Sequence, residues 1–114
     1  MPQIVTYLTE TIALTSLIVR PLKLTAAHEI TLGTVIVCDA SGGAFAVTLP
    51  PADENPSRIL VIKKKDSSAN AVTVTRAGSD TIDGNTTFAL TAQYKYVTLA
   101  NDEEGDVWNI IGSN

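Results

Sequence analysis

This chain is poor in the residues on which most enzyme chemistry depends. Its 114 residues include one cysteine and one histidine. Cys38 alone cannot form a disulfide within the chain, which fits a reducing compartment. His28, with Glu29 beside it, reads as a surface or capping residue rather than a ligand, and no triad context surrounds it. There is no G-x-S-x-G, H-E-x-x-H or C-x-x-C, and no glycine-rich phosphate loop. Neither an enzyme nor a bound cofactor or metal is expected. Charge is also scarce: charged residues make up 18%, and the net charge is −4. That balance excludes the basic footprint by which proteins displace counterions from nucleic acid. Long hydrophobic runs are missing. The longest, residues 12–19, is interrupted by Thr15 and Ser16 and is too short to cross a bilayer as a helix. The start lacks the basic region and A-x-A site of a secretory signal. No nucleic-acid and no membrane partner is expected.

What the chain does have is Val, Ile, Thr and Tyr in short runs between turn residues. Hydrophobic residues reach 45%, which argues against disorder. The length suits a single domain. The runs predict strands over 34–38, 44–49, 58–65, 71–76, 87–91, 94–100 and 106–111. Residues 39–43, with Gly42-Gly43, predict a hairpin loop that returns the chain along 44–49. Pro50 and Pro51 stop that strand, because proline cannot donate to a ladder. Residues 22–32 read as a linker or a short strand pair. Residues 1–21 read either as an edge strand or as an N-terminal arm that anchors on another surface. In that arm Ile4, Val5, Tyr7, Leu8, Ile12 and Leu14 are the candidate contact residues. Residues 22–114 form the single β domain. The expected fold is all-β, a small antiparallel sandwich or barrel-like domain with an extended arm.

Alternation sharpens the picture. Val72 and Val74 alternate with Thr73 and Thr75, the pattern of a half-buried strand. Ile59, Leu60, Val61 and Ile62 are apolar without alternation, so both faces of that strand call for burial. One layer cannot bury two faces, so a second sheet, a partner chain or both is required. A Thr-rich, charge-poor surface fits strands that also pack against a neighbouring chain.

Five other features each have a bland reading beside a sharper one. Lys63-Lys64-Lys65 puts Lys63 and Lys65 on one strand face and Lys64 on the other, and reads as a solvated strand end. Asp80, Asp83 and Asn85 have oxygen ligands of the kind calcium uses, but Asp83-Gly84 is a turn signal by itself. Asp102-Glu103-Glu104-Gly105-Asp106 reads as a solvated hairpin tip. Asn85-Thr86-Thr87 matches a glycosylation acceptor without the secretory context that would give it meaning. Tyr94, Tyr96 and Trp108 are candidate partner-binding residues. Trp108 reads first as core or interface, with sugar stacking alongside Tyr94 and Tyr96 as the alternative.

From Val47-Thr48-Leu49-Pro50-Pro51-Ala52 onward a pattern is apparent. It continues through Ile62-Lys63-Lys64-Lys65-Asp66-Ser67-Ser68, Val72-Thr73-Val74 and Asp80-Thr81-Ile82-Asp83-Gly84. Tyr94-Lys95-Tyr96-Val97-Thr98-Leu99 and Trp108-Asn109-Ile110-Ile111 complete it. The segment 44–111 resembles a β module of tailed-bacteriophage virion proteins, found in capsid decoration proteins, head fibres and tail-fibre or tailspike parts. The shared pattern concerns turns and packing, so no functional residue carries over from it. The resemblance implies a homotrimer. It also implies a place on the virion; the shortness of the chain, not the resemblance, points to the capsid surface, with the phage major capsid protein as partner. A chain with little besides the module and an arm fits a decoration or head-fibre protein that reinforces the capsid. The alternative is a tail-fibre or baseplate module that binds a host receptor or glycan.

Overall fold

A computed structural model describes residues 19–114. The candidate arm residues Ile4, Val5, Tyr7, Leu8, Ile12 and Leu14 lie outside the described residues. Ten strands are formed: β1 (Leu22–Leu24), β2 (His28–Glu29), β3 (Val35–Cys38), β4 (Phe45–Thr48), β5 (Ile59–Lys64), β6 (Val72–Thr75), β7 (Thr81–Ile82), β8 (Thr87–Leu90), β9 (Tyr96–Ala100) and β10 (Val107–Ser113). One turn of 3-10 helix, Ala52–Glu54, follows the two prolines. The strands make a six-stranded sheet, in the order β1-β3-β5-β9-β10-β7, and a four-stranded sheet, β2-β4-β6-β8.

The all-β, two-sheet architecture is as the sequence leads one to expect; the strand directions are not. Strands β1, β3 and β5 run parallel in one sheet, and β2, β4 and β6 run parallel in the other. Through β8 the chain changes sheet at every connection. Two crossings bring each strand back beside its predecessor in the same direction, so the first six strands wind as three coils. The antiparallel pairs come later: β8 on β6, and β9 between β5 and β10. The loop 39–43 is therefore not the tip of a hairpin. It carries the chain from β3 in one sheet to β4 in the other. Tight-turn residues reverse a chain in either arrangement, and nothing local decides whether the return strand pairs beside its predecessor or packs across from it.

The core lies between the sheets. Leu60 and Ile62 of β5, Val97 and Leu99 of β9, and Trp108 of β10 point into it from one side. Val47, Val72, Val74 and Leu90 meet them from the other. Fully burying side chains of this size contributes roughly 1.5–3 kcal/mol each relative to exposure. Trp108 keeps its one polar atom satisfied, donating from Nε1 to the Pro50 carbonyl at 3.2 Å.

Several polar residues fasten loops rather than serve a site. Asp83 and Gly84 both have positive φ, 48° and 83°, as a type I′ turn demands. Ile82 and Asn85 exchange backbone hydrogen bonds across that turn. Asp80 is buried and accepts from the Ala52 N–H at 2.9 Å, and Asp83 accepts from the Ile110 N–H at 3.1 Å. Both carboxylates thus work within the fold. Arg58 donates to the Thr31 and Gly33 carbonyls and pins the loop ahead of β3.

Lys64 departs from its expected place at a solvated strand end. Its side chain is 0% exposed. Nζ donates to Asp66 Oδ2 at 2.8 Å and to the Asp66 and Ser68 carbonyls. Asp66 in turn accepts from the Ala40 N–H at 2.7 Å, which ties the 65–71 loop to the 39–43 loop. The ammonium thus faces a charge and two carbonyls, the conditions under which a buried lysine is tolerated. Burial works against the Asp66 charge, yet hydrogen bonds from Lys64, Ser68 and two backbone N–H groups outweigh it. They hold its carboxyl far below the usual carboxylate range.

Candidate functional site

Strand β5 shows where the exposed apolar surface comes from. Alternate residues of a strand point opposite ways. Leu60, Ile62 and Lys64 point inward, which leaves Ile59, Val61 and Lys63 on the outer face. Ile59 is 48% exposed. The register extends the face across the sheet in rows. Val35, Val61, Thr98 and Gly112 form the middle row. Lys23, Val37, Lys63 and Tyr96 form the next. Ile59, Ala100 and Asn109 form the third. Rows two residues apart along a strand are separated by about 6.6 Å. Val35, Val37, Ile59, Val61 and Ala100 therefore make one apolar band, with the Thr98 methyl and Gly112 within it. The register shift in β10 between Ile110 and Gly112 leaves Ile111 60% exposed as well.

The band is charged at both ends. Lys23 and Lys63 stand at one end, both exposed. The Lys63 ammonium lies 5.2 Å from the centre of the Tyr94 ring, a cation–π distance. At the other end Ala100 leads into the loop with Asp102, Glu103, Glu104 and Asp106, all exposed. That loop joins two antiparallel neighbours, β9 and β10, and is a hairpin tip as its composition suggests. Glu103 is hydrogen-bonded to Ser57. Among the described residues the one ion pair is Lys64–Asp66, so these end charges have no ionic partner there.

The three aromatic candidates do not come together. Trp108 is in the core between the sheets. Tyr94 precedes β9 in a left-handed turn, φ 67°, and is 56% exposed. Tyr96 lies partly buried on the outer face, in the row with Lys63. An aromatic platform of all three is therefore not formed. His28 is exposed in β2, the edge strand of the four-stranded sheet.

No group of three His, Cys, Asp or Glu residues suited to holding a metal occurs among the described residues. No helix among them is long and apolar enough to cross a membrane. The concavities are shallow. The one beside β1, with Arg20, Leu22, His28 and Leu32 in its lining, has a volume of about 370 Å³ and gathers no set of groups for chemistry. Cys38 is buried on β3, between β1 and β5, and burial together with the nearby Asp66 charge pushes its thiol up to about 12. Such a thiol is protonated and inert at neutral pH. The feature that stands out is the outer face of the six-stranded sheet. Its signal in the sequence is the unbroken run Ile59-Leu60-Val61-Ile62. The run does not reveal that lysines and acids bracket the band, because Lys23 and the acids come from distant segments.

Compared with known proteins, the chain matches no family model and no curated protein.

Proposed function

We propose that this chain is a structural protein of a tailed-bacteriophage particle, a capsid decoration or head-fibre protein that works as a homotrimer. Three copies bury the outer face of the six-stranded sheet together, and the trimer docks on the major capsid protein and reinforces the shell. The observation that carries the reading is the apolar band of Val35, Val37, Ile59, Val61 and Ala100, which no other part of the described residues covers. A band of this kind on one chain marks an interaction surface. The resemblance of segment 44–111 to virion β modules supports the particle and the trimer. Repetition over a symmetric shell turns modest single contacts into strong retention.

Residues 1–21 are the proposed anchor to the capsid. Purified protein mixed with undecorated capsids of its own phage should bind saturably near symmetry axes. A chain lacking residues 1–18 should remain a folded trimer that no longer docks. Absence of binding to any such capsid would remove the reading. Receptor or glycan binding at a tail is the second reading. Exposed Tyr94 favours it, although Trp108 in the core leaves that residue with one aromatic neighbour at most.

A further inference from the structure

The band on the six-stranded sheet is polar in the electrical sense, and this bears on how copies meet. Lys23 and Lys63 share one register row at one end. The hairpin with Asp102 and Glu104 stands past Ala100 at the other. Copies whose bands adjoin at like ends would set lysine against lysine or acid against acid. Like charges juxtaposed across an interface repel and disfavour that arrangement. When the lysine end of one copy's band meets the acidic end of the next copy's, opposite charges adjoin and the apolar rows between them turn toward a common centre.

We infer that the partner of this face is a second copy of the chain, docked head to tail, with Lys23 and Lys63 of one copy facing the 102–106 hairpin of the next. The inference rests on the self-association proposed above and adds its contact surface and polarity. A contact in which one end of a face meets the other end of its neighbour is heterologous, and such contacts form a ring when the rotation between copies closes. Three-fold closure is the ring that the proposed trimer requires. The charges act as a register on the apolar band. They set orientation and the rate of encounter more than affinity, so the contact should weaken as salt rises.

Charge reversal tests this on the full-length chain, with oligomer mass read by sedimentation at low and high salt. The double variant Lys23→Glu/Lys63→Glu should weaken association about tenfold or more at low salt, and Asp102→Lys/Glu104→Lys should do the same. The quadruple variant carrying both reversals should associate about threefold or more tighter than either double variant, because the exchanged positions again face opposite charge while Glu103 and Asp106 are unchanged. Near-ultraviolet dichroism of the buried Trp108 reports that each variant is folded. A variant that fails this check is replaced by the neutral set Lys23→Gln/Lys63→Gln, which should weaken association less but in the same direction. Double variants that associate as the unmodified chain does would overturn the head-to-tail contact and leave the proposed function standing. Weakening in both doubles without recovery in the quadruple would also overturn it, since the two charge sets would then not face each other. An unmodified chain that stays single would remove the self-association itself.

Discussion

The two sheets share one core and differ outside it. On β4, β6 and β8 of the four-stranded sheet the outward residues are Ala46, Thr48, Thr73, Thr75, Thr87 and Ala89, in register rows such as Thr48–Thr75–Thr87. Each carries a hydroxyl or a single methyl, so water can wet the whole face. On the six-stranded sheet the equivalent positions hold Val35, Val37, Ile59 and Val61, which water wets poorly. The same alternation rule built both faces. β6 spends its valines inward and its threonines outward, whereas β5 is apolar on both sides. A strand that needs only one covering layer reads as β6 does. A strand written as β5 is asks for a second layer, and the four-stranded sheet supplies only the inner one.

The largest effect should come from the core that both faces share. Trp108→Ala removes the biggest buried side chain and the donor to Pro50, and should cost roughly 3–5 kcal/mol in urea unfolding. Both sheets should lose structure together in that transition; separate transitions would break the picture of one core. Next, matched lysines should tell the faces apart. Val61→Lys on the six-stranded sheet should abolish association, whereas Thr73→Lys on the four-stranded sheet should leave the oligomer mass unchanged. Equal effects would erase the distinction between the faces.

A smaller effect should appear in acid. Asp66 is held below its ordinary pKa by Lys64, Ser68 and backbone N–H groups. Its contribution is therefore present above the unfolded carboxylate pKa, near 4, and is lost as pH falls below that value. Lys64→Met should flatten this part of the stability profile, measured by urea unfolding between neutral and acid pH. Cys38 has the opposite sign. Its raised pKa means that stability tied to the neutral thiol holds below the unfolded value, near 8.5, and declines as pH rises from there toward 12. Thiol reagents at pH 8 should react only with unfolded chain. The smallest effect should be Thr75→Val on the wetted face, within about 0.5 kcal/mol, as for most surface changes remote from special features.

Much of this was legible in the residues. The β-branched runs named the strands, and Ile59-Leu60-Val61-Ile62 announced a strand with two faces to cover. Asp83-Gly84 named its own turn. Strand direction was hidden, because Ser41-Gly42-Gly43 looks the same whether the chain returns beside β3 or crosses to the other sheet. Lys64 reads as solvated in the sequence alone, since its partners Asp66 and Ser68 act through a loop that closes only when the 39–43 and 65–71 segments meet. Trp108 had two readings, core or surface platform. Its place was settled by β10 pairing with β9, a contact that its own neighbours do not encode. The assembly surface was half visible: the apolar band could be seen in β5 alone, while the charges at its ends come from β1, β5 and a hairpin some forty residues further on.

Sedimentation equilibrium of the unmodified chain over a wide concentration range addresses most directly whether one copy leaves a face for others to cover. The account predicts the mass of three chains at concentrations where Val61→Lys sediments as one. A single-chain mass for the unmodified protein at every concentration would contradict it.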